Sequence, residues 1–128
     1  MRTGGFPHVV KRSDWRALVE EYSTAPTEVV PVAQIVASVA SSGRGDDLLF
    51  ATSMWDLIVT PSPAGWPPVD VVAVRGAVGL ARVPEGRILV EHLPLVGGAD
   101  RIERPADEAV PLFWRFMIEK YGIEPQRF

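Results

Sequence analysis

Between Leu48 and Leu93 the chain falls into five short runs, LLFAT, DLIVT, VDVVAV, AVGLARV and RILVEHL, each rich in β-branched residues and separated from the next by turn-forming residues. Runs of this length and chemistry read as strands, and the short connections between them predict an antiparallel sheet of about five strands within residues 48–93. The clearest hairpin joins GLARV to RILVEHL through Pro84, Glu85 and Gly86, where proline presets the first turn angle and glycine accepts a positive φ. VDVVAV is apolar at both parities, with Asp70 its only polar member, as a central strand covered on both faces requires.

Helical periodicity flanks this region. After Ser13, whose hydroxyl can cap a first turn, Trp15, Leu18, Val19 and Tyr22 recur on one helical face while Arg16, Glu20 and Glu21 take the other. A second helix is predicted in VPVAQIVASVASSGRG: Pro31 suits a first turn, Val32, Ile35, Val36, Val39 and Ala40 share a face, and Gly43 or Gly45 can end it. The third, opened by Pro105 or Pro111, is apolar around most of its circumference, with Arg115 and Glu119 as a narrow polar stripe and Gly122 as its stop. Helices before and after a block of strands define an α+β fold. The 128 residues read as one domain, with residues 1–12 a loose arm or a short edge strand.

With 47% hydrophobic residues the chain has material for one core without disulfides, and it has no cysteine. That removes thiolate nucleophiles and cysteine-based zinc sites. A formal charge of -3 gives no broad attraction for phosphate backbones or anionic membranes, so neither nucleic acid nor membrane is expected as a partner. The opening residues lack an apolar stretch long enough for a signal-peptide core, which makes a cytoplasmic location the expectation. Basic residues are almost all arginine, with Lys11 and Lys120 the only lysines, and alanine, valine, glycine and proline abound, which suggests a GC-rich bacterial gene.

Candidate chemistry is sparse. Pro61, Pro63, Pro67 and Pro68 force TPSPAGWPP out of the sheet as a stiff loop with Trp66 at its crest. Such a tryptophan either folds back as a lid on the core, the preferred reading, or stands out for a partner. Trp55, between LLFAT and DLIVT, reads as packed at a hairpin end; it shares a pocket with Trp66 only if the proline loop doubles back along the strand. Strand alternation sets Ile88, Val90 and His92 on one face and Glu91 on the other, so a carboxylate that orients His92 has to come from elsewhere, for example Asp56 or Asp70. The two histidines stand far apart and no nucleophile motif or phosphate loop is present, so no catalytic residue, metal or cofactor is predicted. ADRIERPADE reads as a surface ion-pair network whose Arg101 and Arg104 could grip an acidic surface.

Together these features predict a small non-enzymatic protein that binds a protein partner or itself, through the C-terminal helix or an exposed sheet edge in the latter case. The alternative is a small-molecule binding or catalytic domain with a pocket between the sheet and the C-terminal helix. Trp55, Asp56, Trp66, His92, Arg101 and Arg104 are the candidate binding residues.

Overall fold

The computed structural model describes residues 4–79 and 83–126. Its elements are helix α1 (Trp15–Tyr22), helix α2 (Val30–Ser41), strands β1 (Leu48–Ser53), β2 (Asp56–Pro61), β3 (Val71–Arg75), β4 (Arg87–Leu93) and β5 (Asp100–Pro105), and helix α3 (Ala109–Tyr121). The five strands form one antiparallel sheet in chain order, so the α+β prediction holds. Among the described residues no helix is long and apolar enough to cross a membrane.

The fifth strand is not where the β-branched pattern placed it. Ala77–Gly79 form a turn, Leu80–Arg82 lie outside the described residues, and RILVEHL pairs with β3 from Val71↔Leu93 to Arg75↔Leu89. The fifth strand is instead the charged segment DRIERP, paired with β4 from Arg87↔Pro105 to His92↔Asp100. At a sheet edge only Ile102 has a core to face, so charged residues fill the other positions and the apolar alternation disappears.

One face of the sheet packs on the helices. Phe50, Leu57, Val59, Val72, Val74, Ile88 and Val90 meet Trp15, Leu18, Ile35, Val36, Val39, Phe113, Phe116 and Met117 in a single core. Burying a side chain of this size stabilises by roughly 1.5–3 kcal/mol, which is why the apolar stripes of the three helices converge here. Trp15 Nε1 donates to the Leu48 carbonyl at 3.0 Å and Trp114 Nε1 to the Ser38 hydroxyl at 2.8 Å, so both buried indoles keep partners.

Local signals act largely as expected. Gly43 (φ 78°) ends α2, and Gly122 (φ 68°) ends α3 with its N–H on the Ile118 carbonyl. Pro111 falls in the first turn of α3, where a missing N–H costs nothing. Ser13 does not cap α1. Asp14 occupies that position without a side-chain cap bond, because its carboxylate is engaged by Arg12.

The other face of the sheet is covered by the N-terminal arm. Phe6 bridges Val69, and Arg12 bridges Phe50 on the outer edge of β1, so the segment between them crosses the sheet. Val10 is buried there against Ile58, Val71 and Ala73. Arg12 fixes the end of the crossing through Asp14 and Glu21, at 3.1 and 2.6 Å, and lies 4.8 Å from the Phe50 ring centroid.

Candidate functional site

Antiparallel order brings the β2–β3 and β4–β5 connections to one end of the sheet, together with the C-terminus of α3. The proline loop leaves β2 at Pro61; Ser62–Pro63 and Pro67–Pro68 are cis, and Thr60 Oγ1 donates to the Asp70 carbonyl at 2.7 Å to close its base. Trp66 at its crest is 87% exposed. The lid reading is therefore overturned: the face it would cover is already filled by Val10 and the arm, with Ala64 packed beside them. Trp66 instead forms one wall of a shallow groove of about 220 Å3 lined also by Val9, Val10, Lys11, Ala64 and Gly65.

The β4–β5 connection packs against the same arm. A Cβ on Gly5 would lie 2.8 Å from the Val69 carbonyl oxygen and 2.9 Å from Leu95 Cδ2, a closeness that only glycine permits. Val9, Trp66, Leu95 and Val96 are four of the seven large hydrophobic side chains exposed among the described residues, and all four belong to the three segments that meet here. Scattered single apolar residues carry no meaning, but a concentration at one end of a molecule does.

At the same end of the sheet, on its helical face, His92 finds its carboxylate. His92 Nε2 lies 2.8 Å from Asp70 Oδ1, and the Tyr121 hydroxyl donates to the same oxygen at 2.8 Å. A carboxylate only accepts, so Nε2 carries the imidazole proton. The His92 and Tyr121 rings meet edge to face at 6.0 Å, and Lys120 bonds Asp100 at 2.7 Å beside them. Burial first, and then the bond to Asp70, push the Tyr121 phenol well above its ordinary range, while Lys120 holds the Asp100 carboxyl below its own. The cluster ties the end of α3 to β3, β4 and β5.

Trp55 sits at the opposite end of β2, so it shares no pocket with Trp66. It turns the β1–β2 hairpin with Met54, both at positive φ (71° and 49°) where asparagine and glycine are the usual choice. Packing compensates. Trp55 stands edge to face on Tyr22 at 5.3 Å, and the Tyr22 hydroxyl donates to its carbonyl at 3.1 Å.

Asp56 is fully buried and bonds Arg75 Nη1 at 2.9 Å. Arg75 Nε also reaches Glu91 at 2.7 Å, and Arg101 reaches the second Glu91 oxygen at 3.2 Å. The result is an alternating chain, Asp56–Arg75–Glu91–Arg101, across four strands. Burial opposes the Arg75 charge, but the bonds to Glu91 and Asp56 outweigh it and its pKa is raised. Gly79 closes over Asp56 so tightly that a Cβ there would collide with the carboxylate.

Arg101 and Arg104 both lie on β5 at the sheet edge. Arg104 Nη1 donates to the Glu103 carbonyl at 3.3 Å. Ion pairs of this charged segment run across strands to β4, through Arg101–Glu91 at 3.2 Å and Arg87–Glu103 at 3.0 Å. Of the six sequence candidates, Asp56 and Arg101 stand at the two ends of one ion-pair chain, His92 meets the unselected Asp70 and Tyr121, Trp55 and Trp66 lie at opposite ends of β2, and Arg104 lies on the β5 edge. Between the sheet and α3, where the alternative reading needs a pocket, Ile88, Val90, Phe113, Phe116 and Met117 fill the space, none more than 1% exposed. Among the described residues no three histidine, aspartate or glutamate side chains gather as a metal site.

Comparison with protein-family models, curated proteins and solved structures finds no match to this chain.

Proposed function

We propose that this is a non-enzymatic interaction protein of the bacterial cytoplasm, which binds a protein partner through the end of the sheet that carries Trp66. The observation behind this reading is the indole held 87% exposed on a proline-braced loop. Tryptophan is the residue type most enriched among binding hot spots, and a backbone already restricted by prolines loses little entropy when the side chain is covered. Val9, Leu95 and Val96 supply further apolar surface, and among the described residues Lys11 is the one charged residue lining the groove, which suits a partner with an apolar anchor beside an acidic group. The arginine-rich, cysteine-free composition supports the bacterial and cytoplasmic parts of the proposal.

The direct test installs a photoreactive amino acid at Trp66 and, as a control, at exposed Gln34 on α2, and irradiates cells of the native host. A defined polypeptide adduct formed from position 66 and not from position 34 is the expected result. Identical adducts from both positions, or none from 66, would remove the proposal.

A further inference from the structure

We infer that two copies of this chain pair through the free edge of β5, in one antiparallel register set by its charges, to make a continuous ten-stranded sheet. This surface is separate from the Trp66 surface.

The backbone polarity of β5 follows from the ladder. Antiparallel residues alternate between pointing their N–H and C=O groups at one neighbour and at the other. The Ala106 N–H donates to the Gly86 carbonyl at 2.8 Å, continuing the β4–β5 register by one pair. Arg104, Ile102 and Asp100 therefore direct their main-chain groups inward to β4, and Arg101 and Glu103 direct theirs outward. The same alternation carried through all five strands places the Phe50 N–H and C=O on the outer edge of β1, where Arg12 bonds both. That edge is capped by the arm. On the β5 edge the only partner among the described residues is the Arg104 side chain on the Glu103 carbonyl.

A second β5 strand can satisfy these groups in few ways. Sliding by one residue sets outward groups against inward ones and makes no ladder. Of the allowed registers, centring on Arg101 sets it against itself, and centring on Glu103 does the same for that carboxylate. The register centred on Ile102 sets Arg101 opposite Glu103 of the second copy twice, Asp100 opposite Arg104 of the second copy twice, and Ile102 opposite its own symmetry mate. Every charged pair is then of opposite sign, and four main-chain hydrogen bonds form between the Arg101 and Glu103 positions. Charges normally protect an exposed edge; this set is self-complementary.

The side chains already in place extend this order. The chain Asp56–Arg75–Glu91–Arg101 ends at the edge in Arg101, whose side chain is 60% exposed, and Glu103 of the second copy, bonded to its own Arg87, continues the alternation. On the helical face Arg104 exchanges the Glu103 carbonyl for Asp100 of the second copy, which Lys120 already holds. Pro105, which has no N–H, lies just beyond the paired residues.

Sedimentation or light scattering from about 10 µM to about 500 µM, a range suited to an interface this small, should take the wild-type protein from one 14.0 kDa chain to two. Arg101→Glu and Glu103→Arg each set like charges opposite one another twice, and each should weaken the dimer at least about tenfold. Mixed in equal amounts, the two variants should recover a heterodimer, since every pair is again of opposite sign. A wild-type chain that stays monomeric throughout, or a dimer that neither substitution weakens, would overturn the inference. Should a variant fail to fold, Ile102→Cys in this cysteine-free chain gives the same answer: the two positions meet at about 4.5–5.5 Å between Cα atoms and should oxidise to a covalent dimer. Arg104→Cys, displaced from its mate by several residues, should not; bridging at 104 and not at 102 would also contradict the register. Trp66→Ala should leave the dimer intact, so failure of the partner surface and failure of the edge pairing are separately visible.

Discussion

His92 and Tyr121 share one acceptor, Asp70 Oδ1, each at 2.8 Å, and through it the last turn of α3 is bonded to the entry of β3 and the end of β4. Removing the acceptor leaves two largely covered donors without a partner. Asp70→Ala should therefore cost about 1–3 kcal/mol in denaturant unfolding. Tyr121→Phe and His92→Ala should each cost less, and a double-mutant cycle of either with Asp70→Ala should show coupling of about 0.5 kcal/mol or more. Strict additivity would mean that the shared carboxylate does not hold the helix end.

Arg75 neutralises two carboxylates that have little access to water, one of them fully buried. Arg75→Met keeps the aliphatic stem but takes the guanidinium from both carboxylates, leaving Glu91 with the exposed Arg101, and it should destabilise the fold by about 3 kcal/mol or more. Arg101→Ala, at the exposed end of the same chain, should cost the monomer under about 1 kcal/mol. Comparable losses from the two would show that the network is solvated along its whole length.

Both tyrosines of the chain are held in the neutral form, Tyr22 by burial and then by the nearby Asp56 and Glu21 charges, Tyr121 by burial and then by Asp70. A phenol whose folded pKa exceeds the unfolded value of 10.0 contributes stability below that pH and loses it as the pH rises further. A spectroscopic alkaline titration should show no phenolate until the fold opens, and both rings should then ionise in the same cooperative step. A tyrosine that titrates near pH 10 in the folded protein would contradict its placement.

Met54 holds φ at 49° while 64% exposed, so its side chain returns little for the backbone conformation it occupies. Met54→Asn, the residue type favoured at the first position of such a two-residue turn, should raise stability by about 0.5–1 kcal/mol. Calorimetry that shows a lower melting temperature would indicate that Met54 makes a contribution its exposure does not reveal.

The sequence revealed the class of fold because helical and strand periods are local properties, and the buried stripes of α1, α2 and α3 are those the spacing predicted. It misplaced the fifth strand because a sheet edge needs only one inward apolar residue, Ile102, and charged neighbours hide that signal. Alternation correctly separated His92 from Glu91, but no spacing in the sequence called for the carboxylate that meets it. Choosing Asp70 over Asp56 needed the knowledge that β3 pairs directly with β4, a strand order that no local pattern carries. The orientation of Trp66 depends on which segment covers the second face of the sheet. The arm does so with Val10 and two isolated bridges, a pattern without any period to read.

The most direct test of the partner surface is a native mass spectrum of the protein purified gently from its own host, recorded for the wild type and for Trp66→Ala. The substitution removes an exposed side chain and should change stability by less than about 0.5 kcal/mol, so any altered complex reports binding. The account predicts a second polypeptide bound to the 14.0 kDa chain or its dimer in the wild type and absent from the variant. Only bare chains and their multiples, a small-molecule adduct in place of a polypeptide, or a bound polypeptide that survives the loss of Trp66 would contradict it.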